Sequence, residues 1–332
     1  MVTAADVREF LRLPAADAAW IDTWDCLAAG PAPVPSAAEI ERLMVDRLGV
    51  DPIDAAAAAA ARPDRRAEPE LWWVIDRCHA QLESDMGGFG MLLWPRIPER
   101  LGAAGRFLYL YPLLAAIPAT LEFYRRRGLD EDLCWATLGN FSEKLRLNRA
   151  RYDLPGLSVA FWFTLHVRGA LFQLGRLEFA IERLGDGHPF AGHDAGELTV
   201  GVHIPGDGPP LTVDACRASI ERARGFFPKY FGDRFAAPPT LTCSSWMLDP
   251  QLCEVLPAGS RIAAFQDLFE LMPAAPDADA RGQGDVLLFV FDHVGPFDAA
   301  ALPRDTSLRR ELADGFAAGR RWQVRSGIAR LH

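Results

Sequence analysis

The feature that most constrains the fold is the stretch of residues 198–211, where a segment with alternating apolar residues runs into a turn rich in glycine and proline. Because side chains on a strand point alternately to its two faces, the aliphatic residues of this segment share one face and His203 lies on the other. A helix is predicted to follow directly, over residues 213–231. Backbone N–H groups of the turn and the positive end of the helix dipole could then bind an anionic ligand beside an imidazole.

The patterning of the chain changes near residue 157. Before it the sequence is helical: a capping box from Ser36 to Glu39 opens one helix, and Pro63 is expected to end an alanine-rich helix over residues 55–61. The chain therefore begins with a predicted helical N-terminal domain, residues 1–153. Further helices of this domain are predicted over residues 68–86, 107–127 and 130–149, and a short apolar helix over residues 157–167 opens the next domain.

After residue 157 the pattern consists of short alternating segments separated by turns. Such a mixture of hairpins and helical crossovers predicts an α+β protein whose second domain, residues 154–332, is an α/β domain with a mostly antiparallel mixed sheet. Strands are predicted over residues 170–174, 176–183, 198–205, 240–248, 261–271, 285–292 and 323–331. Helices are predicted over residues 213–231 and 307–318, with a short helix from Pro250.

Charge and cysteine usage exclude several classes of function. The net charge of −9 argues against nucleic acid or an anionic membrane surface as the main partner, since both need clustered Lys and Arg. The six cysteines are spread singly, without a C-x-x-C pair or a Cys/His spacing suited to zinc. We therefore predict reduced thiols and no metal.

The N-terminus lacks the basic and apolar regions of a signal peptide, which favours a cytoplasmic protein. The longest apolar run, residues 107–123, contains Pro112, Pro118 and Glu122 and is shorter than the roughly 20 residues that a spanning helix needs. We therefore predict a buried core helix and no membrane span at this position.

Four short pieces of the sequence are informative together: Leu174-Gly-Arg-Leu-Glu-Phe179, His203-Ile-Pro205 with Gly208-Pro209, Ser245-Trp-Met-Leu-Asp-Pro250 and Thr306-Ser-Leu-Arg-Arg310. With the order of the elements around them, they resemble the GNAT acyltransferase superfamily. More closely, they resemble two-domain bacterial acyltransferase-like proteins, in which a helical N-terminal domain precedes a GNAT-like C-terminal domain. The resemblance covers essentially the whole chain.

The resemblance implies an acyltransferase that moves an acyl group to the amine or hydroxyl of a small-molecule acceptor. The implied donor is acyl-CoA or acetyl-CoA, or a thioester on an acyl carrier protein. In GNAT enzymes the strand before the turn pairs with the pantetheine, the turn holds the pyrophosphate, and a splay between two strands admits the acyl group. The implied donor contacts are Val202 and Ile204, with phosphates near Gly206, Gly208 and Thr212. The implied acyl position is between His203 and Ser244, Ser245 or Trp246.

The turn departs from the usual superfamily pattern, Arg/Gln-x-x-Gly-x-Gly/Ala. Its sequence is Pro205-Gly-Asp-Gly-Pro-Pro210, in which three prolines remove N–H donors and Asp207 adds a negative charge. Arg217 and Arg224 are seven residues apart on one face of the following helix and could compensate for this loss. A solvated helix face explains these two arginines equally well.

His203 is the best candidate for a general base, because imidazole exchanges protons near neutral pH. A structural histidine hydrogen-bonded across the sheet is the alternative. Ser244 and Ser245 could donate hydrogen bonds to the developing oxyanion or orient the thioester, or they could be ordinary satisfied polar groups. Trp246 could wall the acyl channel.

Cys243 raises a rival mechanism, a nucleophilic pair with His203, which alternation disfavours because it puts Cys243 on the face of Leu241. No tyrosine follows this strand, so the tyrosine that often protonates the CoA thiolate in GNAT enzymes has no equivalent, and water or Ser245 would serve. Two hypotheses remain. His203 and the glycine turn favour an acyltransferase, whereas the proline-rich turn and the missing tyrosine favour a non-catalytic GNAT-like module that binds a small molecule.

Overall fold

The computed structural model describes residues 2–188 and 190–330 of the chain. By its internal contacts the chain divides into two compact units, Met1–Phe172 and Gln173–His332. The domain boundary predicted after residue 153 lies earlier than this division. The difference comes from the helix Ala160–Val167, which packs on the helices Leu110–Arg127 and Glu131–Leu138 of the first unit.

The first unit is built from helices whose ends follow from local sequence. Ser36 and Glu39 form the predicted capping box, with the Ser36 backbone N–H donating to the Glu39 carboxylate at 2.8 Å. The alanine-rich helix begins with a proline in its first turn and ends before Pro63. The helices are α1 (Ala4–Leu11), α2 (Ala15–Asp25), α3 (Ala37–Asp46), α4 (Pro52–Ala60), α5 (Pro69–Ser84), α6 (Gly102–Phe107), α7 (Leu110–Arg127), α8 (Glu131–Leu138), α9 (Asn140–Tyr152) and α10 (Ala160–Val167), with a 3-10 turn at Glu99–Leu101.

Helices α5 and α7 pack together in the core of the first unit. Trp72, Trp73 and Tyr111 are buried, and large rings of this kind supply much of the apolar area that stabilises a core. One helical stretch, residues 99–127, is long and apolar enough to cross a membrane by length and composition, and 67% of its most apolar window is buried inside the protein. This burial agrees with the core helix predicted for the apolar run.

One helix of the first unit differs from the prediction. A single helix was expected over residues 130–149, but α8 ends at Leu138 and α9 begins at Asn140. Gly139 lies at the break, and glycine has a low helix propensity because it loses the most backbone freedom on folding.

Six strands of the described residues form one mixed sheet: β1 (Leu171–Leu174), β2 (Leu177–Arg183), β3 (Leu198–His203), β4 (Leu241–Ser245), β5 (Phe269–Leu271) and β6 (Arg325–Ala329). The strand order is β1-β2-β3-β4-β6-β5. β2 pairs with β3, β4 with β6, and β5 with β6 in antiparallel fashion, whereas β3 and β4 run parallel. The predicted α+β class, with a mostly antiparallel mixed sheet after a helical region, is confirmed.

The prediction of a strand over residues 285–292 is wrong, because most of this run lies in a helix. Periodicity alone does not separate a buried strand from a buried helix in such a short apolar run. The predicted strand over residues 261–271 is helical in its first half, where the Ser260 hydroxyl accepts a hydrogen bond from the Ala263 N–H at 3.2 Å. The helices of the second unit are α11 (Val213–Tyr230), α12 (Gln251–Val255), α13 (Arg261–Gln266), α14 (Ala278–Val290) and α15 (Ser307–Ala317), with 3-10 turns at Trp246–Leu248 and Ala299–Ala301.

The register of β2 and β3 fixes which side chains share a face of the sheet. Val202 pairs with Phe179, and both side chains are buried and apolar. His203 pairs with Glu178, so these two residues lie on the other face. The prediction that His203 points away from the aliphatic residues of β3 is confirmed.

Candidate active site

The two edges of β3 are paired very differently. On one edge β2 pairs with all six residues of β3. On the other edge, the described residues of β4 pair with β3 only through Val200↔Leu241 and Gly201↔Thr242. The ladder between β3 and β4 therefore ends before His203, and the interval beyond it, between His203 and the end of β4 at Ser245, is called the gap. This is the kind of splay that the resemblance implies for the acyl group.

His203 is the last residue of β3 and lies beside this gap. Its side chain is 30% exposed, and its Nε2 is 3.2 Å from Oε1 of Glu182 on β2. A carboxylate accepts an N–H from the ring nitrogen that it contacts, so this hydrogen bond assigns the proton of a neutral imidazole to Nε2 and the lone pair to Nδ1. Such an imidazole is able to act as a general base.

The predicted glycine turn follows His203 directly, and residues 206–210 are exposed. The Pro205 carbonyl accepts a hydrogen bond at 3.0 Å from the buried guanidinium of Arg176, which fixes the start of the turn. Gly208 has a φ of +109°, a conformation that favours glycine. The Thr212 hydroxyl accepts from the Ala215 N–H at 3.3 Å and caps α11. Gly206, Gly208 and Thr212 thus lie on the exposed approach to a helix N-terminus.

The remaining residues implied as donor contacts along β3 differ in exposure. Val202 is buried on the apolar face of the sheet, whereas Ile204, directly after the strand, is half-buried. A donor that pairs with the open edge of β3 would contact the backbone of these residues rather than the Val202 side chain.

The end of β4 distributes its polar residues between two faces. Ser244 is exposed on the face of His203, and its Oγ is 2.7 Å from Oγ of Ser326 on β6. Ser245 lies on the opposite face, where its hydroxyl accepts from the Met247 N–H at 3.1 Å. Trp246 is buried in the core formed by residues of α14 and α15. Of the three residues implied for the acyl position, Ser244 alone is on the face of His203.

Cys243 is buried and pairs with Gly327 on β6. Burial, together with the nearby charge of Glu182, raises the pKa of the Cys243 thiol well above its usual range. A protonated, buried thiol is a poor nucleophile. This agrees with the sequence argument against a Cys/His pair.

The two arginines of α11 have different partners. Arg217 is exposed and pairs with Asp214 at 3.3 Å on its own helix. Arg224 is largely buried, pairs with Glu221 at 2.7 Å, and donates to the Arg330 carbonyl at 2.5 Å. Arg217 is therefore close to the turn in sequence and accessible, whereas Arg224 connects α11 to the chain after β6.

Asp249, in the Ser-Trp-Met-Leu-Asp-Pro piece, makes hydrogen bonds that hold neighbouring segments of the chain together. Its carboxylate accepts from the Gln323 N–H at 2.7 Å and from the Gln251 N–H at 3.0 Å. Burial raises the pKa of Asp249. These bonds tie the end of β4 to the segment that leads into β6, beside a polar cavity of about 370 Å³ that Glu254, Asp279 and Arg325 also line.

Glu182 is the residue that the sequence argument missed. The alternation of the predicted strand over residues 176–183 puts Glu178, Ala180 and Glu182 on one face. The contact between Glu182 and His203 depends on the register of that strand against β3. A single sequence does not determine this register. Among the described residues, no group of three or more His, Cys, Asp and Glu side chains is placed to hold a metal ion.

Comparisons with known proteins agree with this architecture. A family model described as the N-acyltransferase N-terminal domain matches residues 39–169, and one described as the GNAT-like C-terminal domain matches residues 171–329. Among curated proteins, no relative matches the chain.

Several solved structures are similar over all of both chains. An acyltransferase in complex with decanoyl-CoA and teicoplanin is 34% identical, with a TM-score of 0.90. An acyltransferase mutant in complex with octanoyl-CoA is 33% identical, also with a TM-score of 0.90, and an acyltransferase in complex with decanoyl-CoA is 32% identical, with a TM-score of 0.88. This similarity confirms the acyltransferase prediction rather than the non-catalytic module. The chain belongs to the family of two-domain acyltransferases that join an N-acyltransferase N-terminal domain to a GNAT-like C-terminal domain.

Proposed function

We propose that this acyltransferase moves a medium-length acyl group from acyl-CoA to an amine of a small-molecule acceptor, with His203 as the general base. The observation that carries the proposal is the gap between β3 and β4, with His203 beside it and an exposed turn and helix N-terminus directly after it. The octanoyl-CoA and decanoyl-CoA bound by the similar acyltransferases support the donor. The teicoplanin bound by one of them supports an acceptor of that kind.

The donor is proposed to pair with the open edge of β3 at Val202 and Ile204, as in the GNAT superfamily. Its phosphates would meet the backbone around Gly206 and Gly208 and the N-terminus of α11 at Thr212, where the helix dipole favours an anion. The exposed Arg217 adds a positive charge near the same turn. An acyl carrier protein as an alternative donor, and a cytoplasmic location, stay predictions from the sequence.

The proposed reaction needs one proton to move. The nitrogen of a neutral amine attacks the thioester carbonyl carbon, which forms the C–N bond and an oxyanion. His203 Nδ1 accepts the proton that this nitrogen gives up. The Ser244 hydroxyl, on the same face, is the candidate donor to the oxyanion. When the C–S bond breaks, the CoA thiolate leaves and takes the proton from the imidazolium, directly or through water.

The test is a titration calorimetry series with CoA and with acetyl-, octanoyl- and decanoyl-CoA, followed by mass spectrometry of mixtures that contain a teicoplanin-type amine. We expect octanoyl- and decanoyl-CoA to bind at least about tenfold tighter than acetyl-CoA, because each buried methylene contributes about 0.8 kcal/mol. We also expect an acylated amine product. Failure of every acyl-CoA to bind, or binding without transfer to any amine, would contradict the proposal.

A further inference from the structure

The register makes the contact between Glu182 and His203 unusual. His203 pairs across the ladder with Glu178, whereas Glu182 pairs with Thr199. The two residues are thus four positions apart along the ladder, about 13 Å at the rise of a β-strand. Their side chains nevertheless approach to 3.2 Å. Both side chains must therefore lean along the sheet toward each other, over the pair that lies between them.

The pair between them consists of the two smallest residue types. Ala180 pairs with Gly201, on the same face as Glu182 and His203. A Cβ atom on Gly201 would lie 2.3 Å from Oε1 and 2.4 Å from Cδ of Glu182. The Glu182 carboxylate therefore occupies the position that any side chain at residue 201 would need.

Backbone conformation does not explain the glycine at this position. The φ angle of Gly201 is not positive, so a residue with a side chain could adopt the same backbone angles. Glycine within a strand is otherwise unfavourable, because it loses backbone freedom and packs no side chain. The close approach of the Glu182 carboxylate is the physical reason for a glycine here.

A contribution to stability does not explain the pair either. The side chains of His203 and Glu182 are 30% and 41% exposed, and ion pairs with this exposure contribute little to the free energy of unfolding. A hydrogen bond to one ring nitrogen does, however, fix the orientation and the tautomer of an imidazole. The geometry of the pair thus favours orientation of His203 as its role.

We propose that Glu182 is the positioning residue for His203, and that Gly201 provides the space for its carboxylate. Glu182 accepts the Nε2–H of His203, holds the ring so that Nδ1 faces the acceptor, and stabilises the imidazolium that forms when Nδ1 takes the proton. The proposal rests on the proposed function, in which His203 is the general base.

The first variant is Glu182→Gln, with Glu197→Gln as the matched control. Glu197 forms a second Glu–His contact in the same unit, with His193 at 2.9 Å, just before the start of β3 and thus at the opposite end of this strand from His203. We expect Glu182→Gln to lower kcat about tenfold, a fraction of the effect of a whole general base, while the acyl-CoA Kd and the Tm stay near their wild-type values. Glu197→Gln should keep the wild-type kcat. An unchanged kcat in Glu182→Gln would overturn the proposal.

Gly201→Ala tests the space for the carboxylate independently. Its methyl group should displace the Glu182 carboxylate and lower kcat to a similar extent, and the double variant with Glu182→Gln should be no slower than either single variant. Additive losses in the double variant would contradict the proposed route through Glu182. If Gly201→Ala does not fold, the kcat of Glu182→Gln and the double-mutant cycle with His203→Ala test the positioning role without it.

A cycle with His203→Ala separates this proposal from the proposed function. If Glu182 acts through the imidazole, Glu182→Gln should have no further effect on kcat in the His203→Ala background. The same loss of kcat in both backgrounds would overturn the positioning role and leave the general base intact. Full activity of a folded His203→Ala variant would instead contradict the proposed function itself.

Discussion

The two edges of β3 show how one strand combines rigidity with access. Along β2 every residue of β3 is paired, and this ladder carries both Glu182 and His203. Along β4 the pairing stops after Gly201 and Thr242, before the last two residues of β3, and the Val200 N–H, which donates to the Thr240 carbonyl, shows that alternate residues of β3 direct their backbone groups to this edge. Continuous pairing holds a side chain in place, whereas interrupted pairing leaves backbone N–H and C=O groups able to bind a partner.

The difference assigns separate tasks to the two edges. The paired edge fixes the group that handles the proton, and a site of this kind needs its reactive groups held on rigid elements. The open edge supplies the surface on which a donor can lie.

The largest effect is expected from His203→Ala. Removal of a general base lowers turnover by about a hundredfold or more, and the acyl-CoA Kd should change little because the open edge is untouched. Steady-state kinetics with calorimetry of donor binding checks both expectations. His193→Ala is the matched control, because this imidazole also contacts a glutamate but lies in the connection that precedes β3, at the opposite end of the strand from His203. Wild-type turnover in a folded His203→Ala variant would contradict the role of His203 as the general base.

The second effect is expected at the turn beyond the open edge, with Gly208→Val. A β-branched residue at a φ of +109° is strained, so the turn should change shape and the acyl-CoA Kd should rise about tenfold or more. Gly259→Val controls for the strain itself, because Gly259 also has a positive φ, +77°, and open space for a side chain. Equal donor affinity in the two variants would remove the turn from the donor site.

The sequence predicted the strand, turn and helix around residues 198–231 because several local signals agree there. The alternation of β3, the glycine of the turn and the Thr212 cap each specify the same structure without distant partners. The run at residues 285–292 carried a single signal, and only its packing as the end of α14, in the core with Trp246 and Leu312, determines that it is helical. Where several local patterns agree, the type of secondary structure can be predicted from the sequence. Where a short apolar run fits both a helix and a strand, its packing against distant residues determines which one forms.

The site was predictable in part for the same reason. His203 was placed by the alternation within β3, whereas Ser244 was implied by the resemblance, together with Ser245 and Trp246. The structure puts His203 and Ser244 on one face. The contact of Glu182 with His203 depends on the register between two strands, and the burial of Trp246 depends on helices that begin more than thirty residues later in the chain. Neither the strand register nor the long-range packing can be predicted from a local sequence pattern.

A smaller effect is expected from the two arginines of α11. Arg217→Ala should raise the acyl-CoA Kd only about two- to threefold, because an exposed charge that also pairs with Asp214 is strongly screened. Arg224→Ala should leave the Kd unchanged and lower the Tm, since it removes the hydrogen bond to the Arg330 carbonyl. Calorimetry and thermal unfolding of both variants check the contrast. A Kd that rises more than about tenfold in Arg217→Ala would make this arginine a principal phosphate ligand.

The smallest effect is expected at Cys243, directly after the last residue of β4 that pairs with β3. Its buried thiol stays protonated at neutral pH because burial raises its pKa, so Cys243→Ala should keep kcat within about twofold of wild type. Alkylation followed by mass spectrometry gives an independent measurement. In the folded protein the exposed Cys26 and Cys253 should react first and Cys243 should be protected, whereas all six cysteines should react after denaturation. Rapid labelling of Cys243 in the folded enzyme, together with loss of turnover in Cys243→Ala, would contradict this prediction. It would support the Cys/His mechanism, with Cys243 on β4 as the nucleophile.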